Sequence, residues 1–199
     1  MGLVGLQAFA AVIALALGGT VGPETDDTAT LTGAESTTTN PAPAAADDEA
    51  APSFEGNFRF SGGKKQRQGV IDAVERAVQA LLPVFHDLAR ERLGKANRVP
   101  NRIVMERDGN DIVVTYGDLA PMRAPIDGTP STWRNREGTK CKLTHELRGN
   151  RLVQTSWSAS GRRVMVWTLS EDGSRLKVHS TMSSMHLPVD IDYRLTFRK

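Results

Sequence analysis

Acid–base, nucleophilic and metal chemistry is built mostly from cysteine, histidine and paired carboxylates, and this chain offers them sparingly. Cys141 is the single cysteine, and His86, His145, His179 and His186 are the four histidines. Cys141 and His145 invite a thiol–imidazole dyad. Both fall in one alternating run, however, and four residues of strand span about 13 Å, well beyond hydrogen-bond reach. A lone thiol allows no intrachain disulfide, and a buried structural cysteine is its commoner role. The histidines fall on a helix (His86), two strands (His145, His179) and a connection (His186), without zinc spacing. Asp190 and Asp192 share an outward strand face beside Arg194, as solvated strands do. Ser61-Gly62-Gly63-Lys64-Lys65 lacks the spacing of a phosphate-cradling loop, although a helix beginning there could gather an anion. No catalytic residue, metal or cofactor is expected, and the chain reads as non-enzymatic.

The elements that would position such residues are strands. From Thr139 to Lys199 the sequence reads as a five-stranded antiparallel meander, punctuated at Gly149-Asn150, Ser160-Gly161 and Asp172-Gly173. Glycine-containing pairs of this kind favour two-residue hairpin turns, and loop length fixes register. The first turn sets Leu147 opposite Leu152, His145 opposite Gln154, Leu143 opposite Ser156 and Cys141 opposite Ser158. The second pairs Leu152 with Leu169, Gln154 with Trp167 and Ser156 with Met165, leaving Trp157 outside between Lys142 and Val164. The third pairs Leu169 with Leu176, Trp167 with Val178 and Met165 with Ser180, which puts His179 outside, opposite Val166. A last run from Val189 to Lys199 alternates, with Val189, Ile191, Tyr193, Leu195 and Phe197 inward. The inner face is rich in Leu, Met, Trp and Val but also carries His145, Gln154, Ser156, Ser158 and Ser180. A filled core seldom holds so many polar groups, because each needs a hydrogen bond or costs about 1 to 3 kcal/mol. Either the barrel holds a partly hydrated cavity, or these positions meet solvent at strand ends.

Residues 1–19 are apolar apart from Gln7 and end in small residues, as a secretory signal segment does. They lack an early Lys or Arg. About 18 apolar residues is also the short limit for a membrane anchor. Residues 20–53 are mainly Thr, Ala, Pro, Asp and Glu, with no aromatic or basic side chain, and read as a disordered, solvated tether. The expectation is an exported chain, periplasmic or extracellular, with 1–19 cleaved or retained as an anchor. All 25 Lys and Arg lie after Ser53, with 16 of the 23 acidic residues, so residues 54–199 carry a formal charge of +9. The charges are scattered and do not interleave with aromatics on one outer face, so nucleic acid is not an expected partner. Anionic ligands or anionic envelope surfaces suit the charge better.

Phe54 to Phe60 alternates as a first strand, ended by Ser61-Gly62-Gly63. From Val70 to Leu93 apolar residues recur at helical spacing, with Gly94 as the stop. Pro83 must kink that helix or begin a second one. Arg102–Arg107 and Ile112–Tyr116 form a hairpin across Asp108-Gly109-Asn110-Asp111. Met122–Ile126 and Ser131–Arg136 form another across Asp127-Gly128. The reading is a mainly β domain at 54–199: about ten antiparallel strands in an up-and-down barrel or half-barrel, with a helical insert, helix-turn-helix or kinked helix, after the first strand.

Phe54-x-Gly56-x-Phe58-x-Phe60 and the hairpin at Gly149-Asn150-Arg151-Leu152-Val153-Gln154 are similar to segments of the fatty-acid-binding and lipocalin-like (calycin) barrels. The resemblance spans Phe54 to Lys199 in architecture. Gly63-Lys64-Lys65-Gln66 stands where that family has an aromatic-acidic motif, and Arg194-Leu195-Thr196 where it has Arg-x-Tyr, so the resemblance implies a fold and a ligand class and assigns no binding residue. The chain also resembles a family of secreted bacterial proteins, of unassigned role, that share this opening and a closing segment like Tyr193-Arg194-Leu195-Thr196-Phe197-Arg198. From the inner face, the residues expected to line a cavity are His145, Gln154, Ser156, Met165, Trp167, Ser180 and Tyr193, with Arg163 near one mouth. The expected function is non-enzymatic binding of a small, largely apolar or amphipathic anionic ligand, such as an acyl lipid, by a monomer. The alternative is a filled barrel whose basic surface binds another envelope component.

Overall fold

A computed structural model describes residues 53–134, 140–159 and 161–199. The segments read as a signal or anchor (1–19) and a tether (20–53) lie outside the described residues, apart from Ser53. Ten antiparallel strands form one sheet that curls into a nearly closed barrel, in the order β4-β3-β2-β1-β10-β9-β8-β7-β6-β5. The strands are β1 (Gly56–Phe60), β2 (Arg102–Asp108), β3 (Asp111–Tyr116), β4 (Met122–Pro125), β5 (Ser131–Arg134), β6 (Lys140–Arg148), β7 (Arg151–Ser158), β8 (Gly161–Leu169), β9 (Arg175–Ser184) and β10 (Ile191–Arg198). β1 bridges β2 and β10 and so joins the two ends of the domain.

The helical insert divides at Pro83. Helix α1 (Gly63–Gln79) buries Val70, Ala73, Val74, Ala77 and Val78, the three- and four-residue spacing of one helix face. Leu82 is extended, as the residue before a proline prefers to be, and Pro83 opens a 3-10 turn (Pro83–Phe85). Helix α2 (His86–Ala96) follows directly and buries Ala89 and Leu93. It runs through Gly94, the expected stop, and is capped at Asn97, whose Nδ2 donates to the Leu93 carbonyl at 2.9 Å. Gln66 fastens α1 to the barrel, accepting from the Thr196 amide at 2.7 Å and donating to Thr196 Oγ1 at 3.0 Å. A side chain at Gly62 would occupy the space of the Gln66 amide, so glycine is required there for this clamp to form.

The β6–β7 and β8–β9 registers are as the turns dictate. The β7–β8 register differs. Ser158 pairs with Gly161, so Leu152 lies opposite Trp167, Gln154 opposite Met165, Ser156 opposite Arg163 and Trp157 opposite Arg162. Gly161 belongs to the strand, a pairing shift of two residues from the register that a Ser160-Gly161 turn would set. A shift of two leaves every side chain on its original face, so the apolar pattern cannot distinguish the two registers. The β2–β3 hairpin closes tightly, Asp108 opposite Asp111, with Gly109 at φ +60. Val189, expected on the inner face, precedes β10 and is 43% exposed.

The expected hairpin of Met122–Ile126 with Ser131–Arg136 does not form. β4 and β5 stand at opposite ends of the strand order, and residues 135 and 136 lie outside the described residues. Ile126–Gly128 pairs instead with β6: the Leu147 amide donates to the Ile126 carbonyl and the Gly128 amide to the His145 carbonyl, both at 2.9 Å. Pro121, Pro125 and Pro130 flank these strands, and prolines, which cannot donate to a ladder, belong at a sheet edge. The barrel therefore has a seam, bonded through a connection in place of a strand pair.

Candidate functional site

The corrected register gathers the interior side chains into layers. Reading across β6 to β10, Leu147, Leu152, Trp167, Val178 and Leu195 form one inward row, and Leu143, Ser156, Arg163, Met182 and Ile191 another. Between them runs His145, Gln154, Met165, Ser180 and Tyr193. Six of the eight residues expected to line a cavity, His145, Gln154, Met165, Trp167, Ser180 and Tyr193, are buried. Ser156 and Arg163 are half-buried on the same face. A polar layer thus lies between two largely apolar ones.

The opposite wall reaches this layer. Tyr116 of β3 stands half-way round the barrel from Trp167, and their rings meet edge to face with centroids 6.1 Å apart. Gln154 Nε2 donates to Met122 Sδ of β4 at 3.1 Å. Asn97, 2% exposed, enters from the end of α2, and its Oδ1 accepts from Arg163 Nη2 at 2.9 Å and from the Tyr193 hydroxyl at 3.3 Å. Arg163 Nη2 also donates to the Ala96 carbonyl at 3.1 Å and Met182 Sδ at 3.2 Å. Every one of these acceptors is neutral, and among the described residues no carboxylate forms an ion pair with Arg163. Both tyrosines of the chain, this arginine and Asn97 converge at the helix end of the interior. Asn97, Tyr116 and Met122 were not anticipated as site residues. Tyr116 was legible, since it continues the inward parity of Ile112 and Val114; Asn97 was hidden by the expectation of a helix stop at Gly94.

The layer holds polar atoms that lack partners. Gln154 Oε1 and Ser180 Oγ, with Trp167 Nε1 in the adjoining row, are buried without a hydrogen bond to another protein group, whereas the His145 ring nitrogens approach the Ile112 and Ala124 backbone and the Gln154 amide, and Tyr116 Oη approaches the Tyr193 hydroxyl, in poor hydrogen-bond geometry. Burial lowers the His145 pKa to about 4, against weaker upward influences from the Ile112 and Ala124 backbone, the Gln154 amide and Asp111, so the ring is neutral at pH 7. Burial, with Tyr193 alongside, raises the Tyr116 hydroxyl well above its ordinary value, despite the opposing pull of Arg163. The site therefore presents neutral hydrogen-bonding groups and one cation.

The remaining candidates do not join it. Half-buried Cys141 pairs across strands with Trp133, and burial raises its pKa, so it stays a thiol. His179 lies outside, opposite Val166, and its Nε2 meets Asp192 Oδ2 at 2.5 Å. His86 Nε2 lies 3.0 Å from the Leu81 carbonyl, and His186 is in the β9–β10 connection. Among the described residues no three His, Cys, Asp or Glu side chains cluster as metal ligands. A surface recess of about 510 Å³ lies where β7, β8 and β9 turn, lined by residues that include Asn150, Asp172, Arg175 and Lys177. Its Asp172 carboxylate is already engaged by the Ser170 and Ser174 hydroxyls, at 2.5 and 2.6 Å.

No family model and no curated protein matches the sequence. Among solved structures the chain is similar to a fatty acid-binding protein from Drosophila melanogaster brain: 14% identity over 74% of this chain and all of that one, TM-score 0.48. It is also similar to a secretory abundant heat soluble protein of Ramazzottius varieornatus (10% identity, 73% of this chain, 94% of that one, TM-score 0.47). A third is the zebrafish ileal bile acid-binding protein complexed with cholic acid (16%, 73%, 98%, TM-score 0.42).

Proposed function

We propose that the barrel interior binds a small, largely apolar ligand carrying a polar or anionic group, an acyl lipid being the leading class, in a non-enzymatic role. The observation that carries this reading is the enclosed polar layer of His145, Gln154, Ser180 and Tyr193, with Tyr116 facing it, in which Gln154 Oε1 and Ser180 Oγ, and Trp167 Nε1 beside them, have no hydrogen-bonding partner in the protein. Buried polar groups are almost always paired, and each orphan costs about 1 to 3 kcal/mol. A guest that hydrogen-bonds to this layer while its apolar body meets the flanking rows would offset that cost. Arg163, held by neutral acceptors only, supplies a cation for an anionic head. The reading extends to a chain exported through residues 1–19 and tethered by 20–53, for which the support is the composition of those stretches.

Titrating the full chain with fluorescent fatty acids of graded length tests the proposal. Saturation near one per chain, weakened in Arg163→Met, is expected. Failure of every chain length to bind would refute the acyl reading.

A further inference from the structure

The outer wall carries a second feature that the interior does not explain. Arg175 of β9 lies directly opposite Arg198 of β10, Arg198 opposite Arg59 of β1, and Arg59 opposite Arg102 of β2. Four arginines therefore occupy one cross-strand row, and all are exposed. With strands about 4.8 Å apart the row is about 14 Å long. Like charges directly opposite one another destabilise a sheet. Among the described residues no carboxylate forms an ion pair with any of the four. Guanidinium groups in such an array suit carboxylates, which they engage through two parallel hydrogen bonds.

We propose that this row is the docking surface for the acidic stretch Asp47-Asp48-Glu49 of the same chain. Residues 1–53 contain seven acidic side chains and no basic one, while residues 54–199 carry a formal +9. The sequence places Asp47 six residues before Ser53, a span of up to about 20 Å at full extension. β1 lies at the middle of the row, and Arg59 is six residues, up to about 20 Å of extended chain, from Ser53. With the connecting chain extended, and with the length of the arginine side chains added, the acidic stretch reaches the row. Its attachment holds it there at an effective concentration in the millimolar range, which a free polyanion would have to exceed. The consequence is a basic surface masked in cis at low ionic strength.

The test uses the full chain with Cys141→Ser and Ala46→Cys, a nitroxide label on the new thiol, and NMR signals of the arginine side chains. At about 0.02 M salt the Arg59, Arg102, Arg175 and Arg198 signals should relax at least about twofold faster than those of β5. The effect should vanish at about 0.5 M salt, where screening is nearly complete, and in Asp47→Asn/Asp48→Asn/Glu49→Gln. Uniform or absent relaxation at low salt overturns the proposal, as does an effect that survives charge neutralisation. Inorganic polyphosphate added without label supplies a second arm. Tighter binding to the neutralised chain than to the parent supports masking in cis, and equal binding to both shows a row for external polyanions and overturns it.

Discussion

The His145 ring offers a stability effect whose sign and size follow from its surroundings. It is fully buried, and burial outweighs its weak contacts with the Ile112 and Ala124 backbone and the Gln154 amide, so its pKa falls from 6.5 to about 4. Above pH 6.5 the ring is neutral in folded and unfolded chains alike. Below that value the unfolded chain binds a proton that the folded interior refuses, so stability drops as pH falls toward 4 and levels off once the folded ring also protonates. A shift from 6.5 to about 4, at 1.36 kcal/mol per unit, amounts to about 3 kcal/mol. For a domain of this size that is about 6 to 12 °C in Tm. Urea unfolding of the parent chain and of His145→Leu, followed across this pH range, isolates the effect as a difference between two curves. The carboxylates of Glu75 and Asp172, held near about 2 by their hydrogen bonds, cancel in that difference. His145→Leu should match or exceed the parent at pH 7 and lose about 3 kcal/mol less on going to pH 4. Parallel curves, or an NMR titration of the His145 ring near 6.5, would refute the reasoning.

Asn97→Ala removes the acceptor shared by Arg163 and Tyr193 and the side-chain bond to Leu93; a loss of about 2 to 4 kcal/mol in urea unfolding is expected, and a change below about 0.5 would show that α2 is held by apolar contacts alone. With Trp133 and Trp157 replaced by Phe, emission from buried Trp167 should be blue-shifted and should change when a binding lipid is added, and Trp167→Phe should abolish the response. In a chain carrying Asp47→Asn/Asp48→Asn/Glu49→Gln, Arg59→Gln relieves two like-charge pairs and should raise Tm by about 1 to 3 °C at low salt and hardly at all at high salt; a fall in Tm would mean that the row is already neutralised by contacts within the folded domain.

Strand faces were legible in the sequence because period-two alternation needs only local information. Ile191, Tyr193, Leu195 and Phe197 point inward as read, and the helix pair divides at Pro83 because proline cannot continue a helix. What escaped depended on choices that local chemistry leaves open. Ser158 to Gly161 admits two turns with identical facing, so only the structure shows that His145, Gln154, Met165, Ser180 and Tyr193 share a layer. Asp127-Gly128 looked like a hairpin turn, yet the segment finds better partners in the His145 and Leu147 backbone than a short, proline-flanked β5 could supply. The arginine row was invisible for the same reason. Arg59, Arg102, Arg175 and Arg198 are scattered along the chain and meet only through register.

The seam between β4 and β5 also bears on how the domain assembles. Every strand neighbours its predecessor in sequence except at the seam, and one pairing is not sequential: the β1–β10 junction, where Arg59 pairs with Arg198 across nearly the whole domain. That junction demands the longest loop closure in the fold, and such pairings slow folding because entropy must be lost before the contact forms. The Lys199 side chain lies against Gly56, so the two ends could be joined by a short linker. A permutant joined there and opened near Gly128 would turn the sheet into one uninterrupted meander from β5 to β4. Its most distant pairing would become local, and it should reach the native barrel faster than the natural chain order allows.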